Sequence, residues 1–180
     1  MRKVLFLLGH LSDNDVEWLI DNGLRTEVPG GTVLITTDLP LDTLYLLLSG
    51  TLEVHLPGGD GKKSVALGAG EIIGEISLLD SRRPTASVAA ANDCIVLSLP
   101  HEILQEKLRE DSDFAARFYH ALAVFLAHRI RNTYARLGFD DGREMDEDED
   151  YEDELSPEVL DNLHLAGSRF DHVLRKLLTS

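Results

Sequence analysis

From about Arg25 to Leu99 the chain is a succession of short apolar segments interrupted by glycine and proline, and this punctuation leaves few folds open to it. Pro29-Gly30-Gly31 precedes Thr32 to Ile35, and Leu44 to Leu48 run into Ser49-Gly50. Leu52, Val54 and Leu56 then alternate with Thr51, Glu53 and His55, and Pro57 to Gly61 reads as a hairpin tip. Val65 and Leu67, Ser87 to Ala91, and Ile95, Leu97 and Leu99 complete the series. Many short strands at this spacing predict a mainly β fold with flanking α-helices, an antiparallel barrel or sandwich of the jelly-roll kind.

The pattern on either side is helical. Residues 12–22 have Ser12 placed to cap, Asp15 at the third helical position, an apolar face of Val16, Leu19 and Ile20, and Gly23 to stop. After Pro100 a short helix is expected over 101–109. A long one follows from Ser112, read as its cap, to about Leu137, with Phe114, Phe118, Leu122, Phe125, Ile130 and Tyr134 among its apolar positions. That stripe is wider than one barrel contact needs. A second copy packing on it predicts a two-fold dimer through helix 112–137, unless the C-terminal helix folds back over it.

Charge is unevenly placed. Of 180 residues, 32 are acidic and 17 basic, a net −15. Eleven of the acids lie between Asp140 and Glu154, where Arg143 is the one basic residue, so that stretch carries −10 and the remainder −5. Without a broad basic surface, DNA is not an expected partner. The stretch has almost nothing to bury and reads as a mobile, solvated linker. Ser156-Pro157 opens a last amphipathic helix with Leu160, Leu163, Phe170, Val173, Leu174 and Leu177 on one stripe, weakened at Gly167. Three parts follow: a domain over 1–137, an acidic linker over 138–155, and a C-terminal helix over 156–180. The last helix is expected to dock on the long helix or the barrel.

Other chemistry finds little support. Cys94 is the single cysteine, which excludes an internal disulfide and a thiolate zinc cluster, and its setting in Cys94-Ile95-Val96-Leu97 reads as buried. Only His55 of seven histidines lies in a barrel strand, so no metal site of the cupin kind is expected. No Ser-His-Asp or Cys-His set has a plausible context, and an enzyme is not expected. The apolar run Val4 to Leu8 is too short for a signal peptide, and no run approaches the roughly 18 residues of a membrane span. A cytoplasmic protein without a membrane partner is the expectation.

One stretch carries a function: Gly70-Glu71-Ile72-Ile73-Gly74-Glu75-Ile76-Ser77-Leu78-Leu79-Asp80-Ser81-Arg82-Arg83-Pro84-Thr85-Ala86-Ser87-Val88. A strand ending at Gly74 allows a ligand to approach the backbone, a short turn of helix follows over 76–79, Glu75 can accept a hydroxyl hydrogen bond, and Arg82 or Arg83 can pair with phosphate. This order resembles the phosphate-binding cassette of the cyclic nucleotide-binding domain family, of the catabolite activator protein kind. Leu44 to Gly50 is similar to that family's strand-to-glycine turn, and the resemblance extends over about residues 11–137. It implies Glu75 on the ribose 2′-hydroxyl, the amides of Ile76, Ser77, Thr85 and Ala86 on phosphate oxygens, and cyclic AMP or cyclic GMP as ligand. No other cofactor is implied.

The departure lies at Arg83-Pro84. The family's nucleotide binders have arginine where this chain has Pro84, with the arginine displaced to Arg83. One residue earlier on a strand means the opposite face. A charge-assisted hydrogen bond contributes about 1.5–3 kcal/mol, so affinity is expected to fall roughly ten- to a hundredfold. The family's transcription factors also continue into a helix-turn-helix domain, which 138–180 is too short and too acidic to form. Two functions follow: a stand-alone regulatory sensor with a ligand over Gly74, Glu75, Ile76, Ser77, Arg83, Thr85 and Ala86, or a protein–protein adaptor with a vestigial pocket.

Overall fold

The structure is a computed structural model that describes residues 4–55, 64–136 and 157–178, with side chains over 7–55, 64–131 and 164–178. The hairpin tip at 57–61, the acidic linker and the Ser156 cap lie outside the described residues.

Among the described residues, eight antiparallel strands form two four-stranded sheets. Strands β1 (Leu24–Val28), β8 (Cys94–Pro100), β3 (Thr43–Ser49) and β6 (Ile72–Ile73) lie side by side in that order. The other sheet runs β2 (Val33–Ile35), β7 (Ser87–Ala90), β4 (Leu52–His55) and β5 (Ser64–Leu67). This is the jelly roll expected from the strand spacing. Val28, Leu47, Leu52, Val88 and Val96 meet between the sheets as the barrel core.

The run Leu44 to Leu48 has a physical reason. Alternate residues of a strand point to opposite faces. Leu47 enters the barrel core, while Leu44, Leu46 and Leu48 face a second core made with the helices. A strand covered on both faces has no polar alternation to keep. The turn after it needs glycine: Gly50 has φ +96°, and a Cβ there would stand 2.6 Å from the Asp93 carbonyl and from Cys94 Sγ. Cys94 itself is buried, as expected, with its thiol directed at the carbonyls of Thr51 and Asn92.

The described residues form six helices around the barrel: α1 (Val4–His10), α2 (Asp13–Asn22), α3 (Glu75–Asp80), α4 (His101–Glu110), α5 (Ser112–Arg136) and α6 (Pro157–Leu178). At the start of α2, Ser12 and Asp15 form a reciprocal capping box. Asp15 also receives a bidentate pair from Arg117 of α5, at 2.7 and 3.0 Å. Burial pushes its carboxyl upward, but the hydrogen bonds from Arg117 and Ser12 outweigh that and leave it below the usual carboxylate range. The cap of α5 is one residue earlier than the sequence suggested, because Asp111 Oδ1 accepts from the Phe114 amide at 2.9 Å.

Helix α1 was not anticipated. It lies against both α5 and α6. With α2 it covers the stripe that had pointed to a second copy: Phe114, Phe118, Ala121, Leu122 and Phe125 are each at most 2% exposed within one chain. Of the large apolar side chains on the described part of α5, Tyr119 (48%) and Ile130 (55%) remain exposed.

Among the described residues, helix α6 packs chiefly on α1 and also on α2, rather than mainly on the long helix or the barrel as expected. Ala166, Phe170 and Val173 join the helical core. Arg169 holds Asp13 at 2.7 Å and the Leu8 carbonyl at 2.9 Å, and Glu17 pairs with His172 and Lys176. Gly167 lies within the helix without breaking it.

Candidate functional site

Strand β6 ends at Gly74, whose backbone turns left-handed (φ 90°, ψ 0°) to start α3. A Cβ there would meet the Thr43 carbonyl at 2.6 Å, so the cassette lies directly on β3. Glu75 is the first residue of α3 and is buried, 2% exposed. Ser77 is buried beside it, whereas Ile76 is 52% exposed.

Gly74, Glu75, Ile76, Ser77, Thr85 and Ala86 all line one cavity of about 80 Å³, floored by Ile35, Val54, Ile73 and Val88. The structure thus brings together six of the seven residues proposed from sequence. Arg83 is the exception. Its guanidinium donates to the Asp38 carbonyl at 3.0 Å, on an exposed loop, while Pro84 lines the cavity. Arg82 is 86% exposed beside Asp80. Arg83 and Pro84 both lie in the loop ahead of β7 (Ser87–Ala90), and with the arginine one residue early its side chain is directed at Asp38, away from the cavity.

Two residues of the site were missed from sequence. Arg129 of α5 lines the cavity and donates from Nη1 to Glu75 Oε1 at 2.7 Å. Its guanidinium carbon lies 5.9 Å from the centre of the Phe125 ring. Burial raises Glu75 above the usual carboxylate range; Arg129 opposes that shift without cancelling it. His101, at the start of α4, is buried behind the cassette, with its ring hydrogen-bonded to the Gly74 backbone and Nε2 unpartnered. Burial lowers its pKa, partly offset by Asp42 and by that backbone bond. Neither residue has a local signal, since Arg129 is one basic residue among several on a long helix and His101 follows a proline at a strand end.

Chemically, the site offers a buried acceptor, a cation, a threonine hydroxyl and apolar walls. That combination suits a ligand with an anionic group, a hydroxyl and an apolar body. Among the described residues there is no cluster of histidine, cysteine and carboxylate groups able to hold a metal.

The family model described as a cyclic nucleotide-binding domain matches residues 25–111. A cyclic AMP receptor protein of Thermus thermophilus is 36% identical over 134 residues, which are 73% of this chain and 60% of that protein. The chain thus spans about 60% of the length of the curated relatives it first matches. A cyclic nucleotide-binding domain of Methylobacillus flagellatus superposes with a TM-score of 0.68 at 24% identity, covering 79% of this chain and 85% of that one. The catabolite activator protein of Thermus thermophilus does so with a TM-score of 0.60 at 22% identity, covering 94% and 84%. At these identities the two superpositions establish the fold.

Proposed function

Residues 25–111 belong to the cyclic nucleotide-binding domain family, and on that premise we propose that the protein is a regulatory sensor in which a cyclic nucleotide, or a related phosphate compound, occupies the cavity over Gly74 to Ala86 and repositions α5. One observation carries this reading. The cavity is closed from α5 by Arg129, bonded to the buried Glu75, so whatever competes for Glu75 acts on the long helix directly. In this reading Glu75 takes a ligand hydroxyl, the amides of Ile76, Ser77, Thr85 and Ala86 face the phosphate, and Arg83 takes no part. The protein is a cytoplasmic binding module, not an enzyme. Among the described residues, no helix is long and apolar enough to cross a membrane.

The rival reading, an adaptor with a vestigial pocket, is favoured by Pro84 and by the small cavity, since ligand pockets are typically ~300 Å³ or more. Calorimetry of the purified chain against cyclic AMP, cyclic GMP and cyclic dinucleotides separates the two. For the sensor, Glu75→Ala is expected to weaken binding by about 1–3 kcal/mol. Exchanging Arg83 and Pro84 is expected to strengthen it, by returning a guanidinium to the cavity face. No heat from any ligand, with the wild-type and exchanged chains alike, leaves the adaptor.

Two-fold pairing through α5 is a separate proposal, now resting on Tyr119 and Ile130. Sedimentation of the full chain at micromolar concentration is expected to give a dimer that Ile130→Asp weakens. A monomer under those conditions removes it.

A further inference from the structure

Resting on the reading of the cavity as a cyclic phosphate site, we infer that Arg129 is the residue that holds the phosphate, from α5, in the place Pro84 leaves without a cation.

Among the described residues, the cavity is lined by two ionisable side chains, Glu75 and Arg129. Arg83 is bonded to the Asp38 carbonyl and Arg82 stands by Asp80, so the cassette's own arginines face elsewhere. A cyclic nucleoside monophosphate brings one negative charge against a buried carboxylate. With no cation between them, these like charges repel at low local dielectric. Arg129 is the lining group that can offset both. A guanidinium has five donors in a planar fork, enough to keep Glu75 Oε1 and take a phosphate oxygen at once, which an ammonium does with less geometric definition. With its guanidinium carbon 5.9 Å from the ring centre of Phe125, itself 2% exposed, the Arg129 head has a fixed neighbour at the edge of the cavity.

The ligand then has two anchors on different elements: its hydroxyl on Glu75 of the cassette and its phosphate on the long helix. An arginine at position 84 would instead keep the phosphate within the cassette. Binding and the position of α5 are therefore one equilibrium here, because the helix carries part of the site.

The test compares phosphate-bearing and phosphate-free ligands. The full chain and its R129Q, R129K, P84R and P84R/R129Q variants are titrated calorimetrically with cyclic AMP and with adenosine. R129Q is expected to lose roughly ten- to a hundredfold in affinity for cyclic AMP and to leave adenosine affinity unchanged. R129K is expected to fall between wild type and R129Q, and P84R to restore cyclic AMP binding to R129Q. Equal losses for both ligands in R129Q would show that Arg129 only orients Glu75, and would overturn the assignment. So would cyclic AMP binding by R129Q at wild-type strength, or binding by P84R but not by wild type; each leaves the pocket itself standing. If no variant binds cyclic AMP, the sensor reading falls, and this inference with it.

Discussion

Gly74→Ala is expected to lower the stability of the chain by roughly 2–4 kcal/mol and to abolish ligand binding. The left-handed backbone at φ +90° is one cost, about 1–2 kcal/mol for a residue with a Cβ. The second is steric. The added carbon would stand 2.6 Å from the Thr43 carbonyl and 3.3 Å from Leu41 Cδ2. The first is backbone of β3, which cannot swing aside as a side chain can. Relief must come from moving β6 away from β3, where Tyr45 faces Ile73 and Leu46 faces Ile72. That movement carries Glu75 with it, so pocket and fold fail together. Urea denaturation followed by the fluorescence of Trp18, which packs 5.4 Å from Phe114, measures the loss. Gly68→Ala is the control: nothing lies within 4 Å of its added Cβ, and a change within about 0.5 kcal/mol is expected. Equal behaviour of the two variants would show that the cassette is not seated on β3.

How much of this was legible depended on whether the signal was local. The Ser12–Asp15 box could be read because both partners lie within one turn, and the barrel because most of its strands end at or beside a glycine or proline. Gly74 and Glu75 were legible for the same reason. Arg83 does point away from the cavity, but it does so from the loop ahead of β7, so the strand alternation expected from sequence is not what turns it. What failed to show was long-range. Helix α1 has seven residues, no capping residue and no acid in its first turn, so nothing in Val4–His10 distinguishes it from a stray apolar run. It exists because α5 and α6 supply apolar faces on either side. The stripe on α5 was read correctly as needing a cover; the cover within the chain comes from a segment not recognised as helical. Arg129 meets Glu75 across 54 residues of sequence. No spacing rule connects them; the packing of α5 over the cassette does.

The same packing makes α6 part of the core, and Phe170→Ala is expected to cost about 3–5 kcal/mol. Phe170 is 8% exposed, and Ala166 and Val173 beside it are 0% and 2%, so this face is sealed as deeply as the barrel interior. It joins the cluster that holds Leu7, Leu8 and Leu11. The ion pairs at its rim, Glu17 with His172 and Lys176, sit half in water, where pairing gains little. Apolar burial therefore holds α6, and its docking should survive high salt. Leu165→Ala, on the exposed side at 43%, is the matched control and should change stability by no more than about 0.5 kcal/mol. Amide exchange gives the second reading. In the wild type, residues 164–178 should exchange slowly, and Phe170→Ala should speed exchange there and in α1 together, since each covers the other. From α1 the contact continues to α5, and from α5 through Arg129 to Glu75, so ligand-dependent exchange in α6 is the outcome that would make the last helix an output of the pocket. Fast exchange across 164–178 in the unaltered chain, with little loss on Phe170→Ala, would detach it and leave a tail suited to an external partner.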